Sequence, residues 1–338
     1  MMEWTDRHCR FFFRQLSRHA RLYTEMITTG ALLHGDVARH LEFDPREQPV
    51  ALQLGGSERD ELARCARLGA AWGYAEINLN CGCPSPRVQR GAFGACLMAE
   101  PNLVADCVKA MQDAVSIPIT VKHRIGIDRS EGYELVRDFV APLYDAGCRV
   151  FIVHARNAWL HGLSPKENRE LPPLRLNVVH RLQKDFGGAA FVANGGLRDI
   201  ADAQRELAHC TGVMFGRAAY HDPMLLAQVD RTLFADEGHA PGRDEVVAAM
   251  RCYLARVVPA GVAPRSVLRH MLNLYQGRPG ARIWRRRLSD SVFLRRHGAD
   301  ALMAASLELH AHESLPAPLA AAHAGAHPVH DGGLQLFS

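Results

Sequence analysis

The chain has 338 residues, 48% of them hydrophobic, and a formal charge of +4, more than one small core requires and enough for a barrel of ~250 residues with an appendage. No run approaches the ~20 apolar residues of a membrane helix, and the N-terminus, with Asp6, Arg7 and Arg10, lacks a signal peptide's charged-then-apolar layout, so a cytoplasmic protein is expected. Nine cysteines, an odd number scattered through a long chain, argue against a secreted disulfide framework. In chain order, a helical pattern over Arg7–Arg18 comes first, preceded by only six residues. β-rich runs follow at Thr24–Thr28, Val50–Leu54, Glu76–Leu79, Ile119–Lys122, Val150–His154, Phe191–Ala193 and Gly212–Phe215. Between them, Ser57–Leu68, Pro101–Ala114, Tyr133–Ala146 and Asp199–Ala208 repeat their apolar residues at helical spacing.

Repeated β then α implies a parallel sheet with right-handed crossovers, either an open doubly wound sheet or a closed barrel. Polar residues decide between them. Gln53, Asn78, Lys122, His154, Asn194 and Gly216-Arg217 stand at the C-terminal ends of six successive strands, and only a barrel gathers those ends around one pocket. The expected fold is therefore α/β, a (β/α)8 TIM barrel over residues 1–237 that lacks most of its first strand. Pro223 and the polar segment 236–242 then lead into a small helical domain, 243–313, with helices over Asp244–Val258, Pro264–Tyr275, Ala281–Leu288 and Ala299–His312. Residues 314–338, rich in Ala, Pro, Gly and His, read as a disordered tail.

Charge is divided unevenly. Residues 243–299 hold twelve Arg, no Lys and three acids, a net of +9 that leaves −5 for the remainder. A solvated helical surface is the commoner explanation of such a run; the absence of Lys and the Arg-Trp-Arg interleaving make a polyanion partner an equally good one.

The densest chemistry is Asn78-Leu-Asn-Cys-Gly-Cys-Pro84, two amides and two thiols at a strand end, followed by Gly91 and Gly94. Cys-x-Cys supplies too few ligands for zinc, and no metal is expected. An ordinary thiol, pKa ~8.5, is protonated at neutral pH and donates a proton without tuning; a nucleophile or a packed loop cysteine are the competing readings. Lys122 and His154, in Val-Lys-His-Arg and Val-His-Ala-Arg, read either as a cationic pair suited to the negative charge of a reduced flavin or as solvent-reaching strand ends. Asn194-Gly195-Gly196 and Gly216-Arg217 close the last two strands, where barrels commonly hold phosphate.

Together these segments resemble the tRNA-dihydrouridine synthases, and within them the A subfamily. The resemblance runs through Met2–His8, Tyr23–Gly30, Leu52–Gly56, Glu76–Gln89, Gly94–Leu97, Gly162–Arg169 and Pro279–Arg286. It implies an FMN-containing barrel, reduced by NADPH, that reduces uridines in the D-loop of tRNA, at positions 20 and 20a. Carried onto matching positions, it makes Cys83 the proton donor. Met1, Met2, Gln53, Lys122, His154, Asn194, Gly195, Gly196, Gly216 and Arg217 become FMN contacts, and Asn80, Lys166, Arg169, Arg282 and Arg285 tRNA contacts; Cys81 receives no role. The family's Ala-Pro-Met segment, which lies against the flavin, corresponds here to Met1-Met2 alone. Two competing functions remain: a small-molecule pyrimidine reductase of the dihydroorotate type, against which the Arg-rich appendage argues, and an RNA-binding homologue without catalysis, against which Cys83, Lys122 and His154 argue.

Overall fold

Seven parallel strands lie side by side in the order the chain makes them: β1 (Leu22–Thr28), β2 (Val50–Gly55), β3 (Glu76–Cys81), β4 (Ile119–Arg124), β5 (Val150–His154), β6 (Ala190–Asn194) and β7 (Gly212–Met214). The computed structural model describes residues 1–130 and 132–313. The expected tail, 314–338, lies outside them.

Alternation along each strand sorts the side chains. Ile77, Leu79 and Cys81 of β3, Ile119 and Val121 of β4, Phe151 and Val153 of β5, and Phe191 and Ala193 of β6 face outward into one apolar core. Helices Arg59–Ala71, Pro101–Ala114, Tyr133–Asp145 and Leu176–Asp185 cover that face with Leu62, Val104, Phe139 and Val179. The opposite face carries Glu76, Asn78, Asn80, Thr120, Lys122 and Asn194, joined to one another or to neighbouring strands by hydrogen bonds. Cys81 and Cys83 are thus separated by the pleat: Cys81 is fully buried among the helices, whereas Cys83 lies past the strand end and is partly exposed.

The sheet curls into a half-barrel. Among the described residues β1 and β7 do not pair; the N-terminal segment lies between their ends. Trp4 stacks on Tyr220 at 4.4 Å, and the Met1 sulfur is 4.0 Å from where a side chain at Gly216 would begin. The Met1 ammonium feels both Glu25 of β1 and Lys122 of β4, which places two distant strands around one interior.

A second apolar core joins helix α1 (Arg7–Arg14), residues 219–229 and the C-terminal helices. Phe11 stacks on Tyr253 at 4.0 Å, and Trp284, fully buried, donates from Nε1 to the Met271 carbonyl at 2.8 Å. The C-terminal helices are Arg243–Val257, Pro264–Leu268, Ala281–Ser289, Ser291–His297 and Ala301–Glu313. Two expected helices end early. The first stops at Arg14, whose guanidinium bonds the carbonyls of Ser17, Arg18 and Ala20 and so folds the chain back. The expected helix 264–275 stops at Leu268, because His270 and Asn273 reach across to Asp6 and to the Tyr220 carbonyl. Short helices at Thr29–His34 and Val37–Leu41, and the helix Ser291–His297, were not anticipated.

Candidate active site

The strand ends bring most of the expected residues into one polar mouth. In register, Gln53 lies beside Asn78, Asn80 beside Lys122, and His154 beside both Arg124 and Asn194. The Asn80 side-chain oxygen accepts from the backbone N–H groups of Gly82 and Cys83, each at 3.0 Å. That closes a tight turn immediately after β3. Beyond it the Cys83 carbonyl accepts from Ala95 N–H at 2.9 Å, and Gly94, at φ +75°, sits where a side chain would strike the same carbonyl.

Arg124, buried, locks this turn from below. Its Nε donates to the Gly82 carbonyl at 3.1 Å, while Nη1 donates to the carbonyls of Asn157 at 3.0 Å and Asn168 at 2.9 Å. One guanidinium therefore ties the Cys83 turn to the loop that carries Lys166 and Arg169. Both of those side chains are exposed, Lys166 just before the short turn Glu167–Arg169 and Arg169 at its end. Asn168 between them points inward and binds both backbone groups of Trp159.

Lys122 donates to Asn194 Oδ1 at 3.2 Å, and Asn194 Nδ2 donates to the Met214 carbonyl at 2.8 Å, linking β4, β6 and β7. Burial, reinforced by Arg124, lowers the Lys122 ammonium to about 8. Burial also holds His154 well below its usual value, with Arg124, Lys122, Arg156 and Arg169 adding to the effect. The expected cationic pair is therefore a lysine whose ammonium is lowered to about 8 beside a neutral imidazole, because burial disfavours the charged form of each and the neighbouring cations add to it. Cys83 lies within electrostatic reach of Lys122, Arg124 and Arg169.

Gly195 and Gly196 adopt φ +105° and +74°, and a side chain at Gly195 would come within 2.6 Å of His154 Cδ2. Only glycine fits there, which leaves backbone exposed beside the imidazole. Gly216 caps the five-residue helix Arg217–His221. Arg217 pairs with Glu170 at 2.5 Å and reaches the Arg169 carbonyl at 3.4 Å. Arg156, half-buried, keeps its Nε without a hydrogen-bond partner among the described residues, and burial and Arg217 lower its affinity for a proton. An anion here would meet both guanidinium groups.

Arg124 and Arg156 were not among the expected site residues, although each lies two positions beyond a residue that was, Lys122 and His154. The period of two along β4 makes Arg124 share the face of Lys122; no comparable signal marks Arg156, which lies past the end of β5. Met1 and Met2 are both exposed, and Met1 adjoins Gly216.

Arg282 and Arg285 form a separate group. They project from helix Ala281–Ser289 into an open concavity shared with Gln276 and Arg278, and Arg285 donates to Gln276 Oε1 at 2.8 Å. Trp284 and Leu288 of the same helix are buried, so helical spacing turns the arginines outward. Among the described residues, His180–Glu206–Cys210 and His19–Asp230–Asp236 gather metal-ligating atoms, and neither group includes a residue of the mouth. No helix of the described residues is long and apolar enough to cross a membrane.

The dihydrouridine synthase (Dus) profile matches residues 1–310. The chain belongs to the dihydrouridine synthase family. It is 54% identical over 305 residues to a tRNA-dihydrouridine(20/20a) synthase of Synechocystis, covering 90% of this chain and 91% of that one. It is 57% identical over 292 residues to the protein of the same description from Pseudomonas aeruginosa, with 86% and 88% covered. The Escherichia coli K12 protein of that description is 53% identical over 301 residues, with 89% and 86% covered. Among solved structures, a 2-naphthoyl-CoA reductase complex shares the fold at a TM-score of 0.51 and 11% identity, over 66% of this chain and 46% of that one.

Proposed function

We infer that this family member is a tRNA-dihydrouridine synthase of the A subfamily, reducing uridine to 5,6-dihydrouridine at positions 20 and 20a of the tRNA D-loop. The observation that carries the inference is identity above half, over nearly the whole folded chain, to relatives described by that activity. The competing dihydroorotate-type reading leaves Arg282, exposed, and Arg285, half-buried beside it, without a purpose.

The mouth suits a flat, acceptor-rich ring carrying a phosphate. Lys122, with Gln53, Asn194 and the neutral His154, would hold the ring of FMN, and Gly195, Gly196, Gly216 and Arg217, with Met1 and Met2 alongside, its phosphate end; NADPH is the proposed reductant. Bound FMN would supply hydride to C6 of the uracil, whose C4 carbonyl polarises the 5,6-double bond. Cys83 then delivers the proton that C5 requires, from a partly exposed turn held by Asn80 and Arg124. A base inside folded RNA is out of reach, so the nucleotide must leave its stack, with Lys166 and Arg169 at the rim and Asn80 inside the mouth to receive it. We assign residues 1–237 to this chemistry and 243–313 to holding tRNA.

Incubating the purified protein with FMN, NADPH and unmodified tRNA is expected to produce dihydrouridine at positions 20 and 20a. Product confined to other positions, or reduction of free pyrimidines in preference to tRNA, would reject the assignment. For the helical segment, Arg282→Ala combined with Arg285→Ala is expected to weaken tRNA binding and to flatten the plot of log affinity against log salt, by roughly 0.7–0.9 for each phosphate left without its arginine. An unchanged slope would exclude phosphate binding by these two residues.

A further inference from the structure

A single line of hydrogen bonds runs from the Cys83 turn to the floor of the half-barrel, and every bond in it points the same way. The backbone N–H groups of Gly82 and Cys83 donate to Asn80 Oδ1. Asn80 Nδ2 donates to Gln53 Oε1 at 2.8 Å, Gln53 Nε2 to Asn78 Oδ1 at 2.8 Å, and Asn78 Nδ2 to Thr120 Oγ1 at 2.8 Å. Thr120 passes its only hydroxyl proton to Glu76 Oε1 at 2.6 Å. Tyr23 donates to the same oxygen at 2.9 Å, and Arg21 pairs with the other.

Both ends of this line are chemically one-way. Backbone N–H groups can only donate, which fixes the orientation of the Asn80 amide. Three donors converge on Glu76, which leaves its carboxylate as an acceptor only. The amides between have no freedom to flip, since reversing any one sets oxygen against oxygen in a buried setting, at ~1–3 kcal/mol for each unmet group. Glu76, Asn78 and Thr120 are almost completely buried, and Gln53 and Asn80 nearly so. Among the hydrogen bonds of the described residues, Gln53 and Asn80 each keep one amide hydrogen without a protein partner, and neither has an oxygen free of one.

We propose that Glu76 and Thr120 are positioning residues: through this line they hold Gln53 and Asn80 as hydrogen-bond donors, so that the mouth favours ring edges bearing carbonyl oxygens. This rests on the reading of the mouth as the FMN and uracil site. Neither residue touches cofactor or substrate. Their effect is transmitted through Asn78.

The test compares Thr120→Val, which cuts the line while keeping the side chain's shape, with Thr120→Ser, which keeps the hydroxyl. FMN affinity of the apo protein is measured by quenching of flavin fluorescence, and kcat and KM with tRNA under saturating NADPH. Thr120→Val is expected to weaken FMN roughly fivefold or more, the effect of about one hydrogen bond, and to lower kcat more than it alters KM; Thr120→Ser is expected to restore both. If Thr120→Val does not fold, Thr120→Ala takes its place in the same comparison. Wild-type FMN affinity and kcat in the cut variant would overturn the proposal, as would equal impairment of the Ser and Val variants, which would make the role one of packing. Failure of wild-type protein to bind FMN would instead sink the underlying reading of the mouth.

Discussion

Cys83→Ala is expected to bind FMN and to oxidise NADPH at the wild-type rate, yet to pass electrons to tRNA at least a hundredfold more slowly. A positioned general acid typically contributes ~10²–10⁴ in rate, and the neighbouring thiol cannot substitute. Cys81 is two residues away, but the pleat turns it into the helical layer, where burial drives its thiol well above the ordinary range. The decisive measurement is a single-turnover experiment in which pre-reduced enzyme is mixed with tRNA and flavin absorbance is followed. A wild-type rate of flavin oxidation in the variant would move the acid elsewhere. Loss of the NADPH half-reaction as well would indicate that Cys83 supports the cofactor site.

Lys122→Met is expected to act in opposite directions on stability and on binding. Burial lowers the Lys122 ammonium from 10.5 to about 8. The unfolded chain therefore holds this proton up to a pH near 10.5, the folded apo protein only below about 8. Below 8 the full penalty of burying the charge is present; between 8 and 10.5 the unfolded state binds more protons, so stability rises with pH. Each pKa unit corresponds to about 1.4 kcal/mol, which makes the penalty one of a few kcal/mol. Removing the charge should raise the unfolding midpoint of the apo protein by several degrees near neutral pH and flatten its rise at alkaline pH. FMN affinity should fall at least tenfold, because a bound anion is what repays the buried ammonium. An apo variant less stable than wild type near neutral pH would show that the lysine is already compensated by the protein.

Much of this was legible in the sequence because buried parallel strands announce themselves twice, once by their apolar runs and again by the polar residue at the end of each. All seven strands lie where those runs place them, with ends that differ by a residue or two. That Lys122, His154 and Asn194 lie at or near the C-terminal ends of their strands was legible for the same reason. What escaped depends on contacts between distant segments. Arg124 reads as an ordinary strand-end charge until the carbonyls of Gly82, Asn157 and Asn168 are seen to converge on it. The early end of helix Pro264–Leu268 depends on Asp6 and Tyr220, more than two hundred and about fifty residues away respectively. Thr29–His34 and Val37–Leu41 are too short for helical periodicity to register.

The second apolar core, which joins helix α1 to the C-terminal helices, has a consequence for the order of assembly. His8 bonds to Tyr253, 245 positions later, and the cover over Phe11, Phe12 and Phe13 is drawn partly from residues beyond Val246. As the protein emerges from the ribosome, helix α1 is made long before several of its partners. Until those residues are made, three phenylalanines wait without part of the surface that will cover them. Closure of a loop of more than two hundred residues precedes that burial, so helix α1 depends on protection until the residues beyond Val246 have been made.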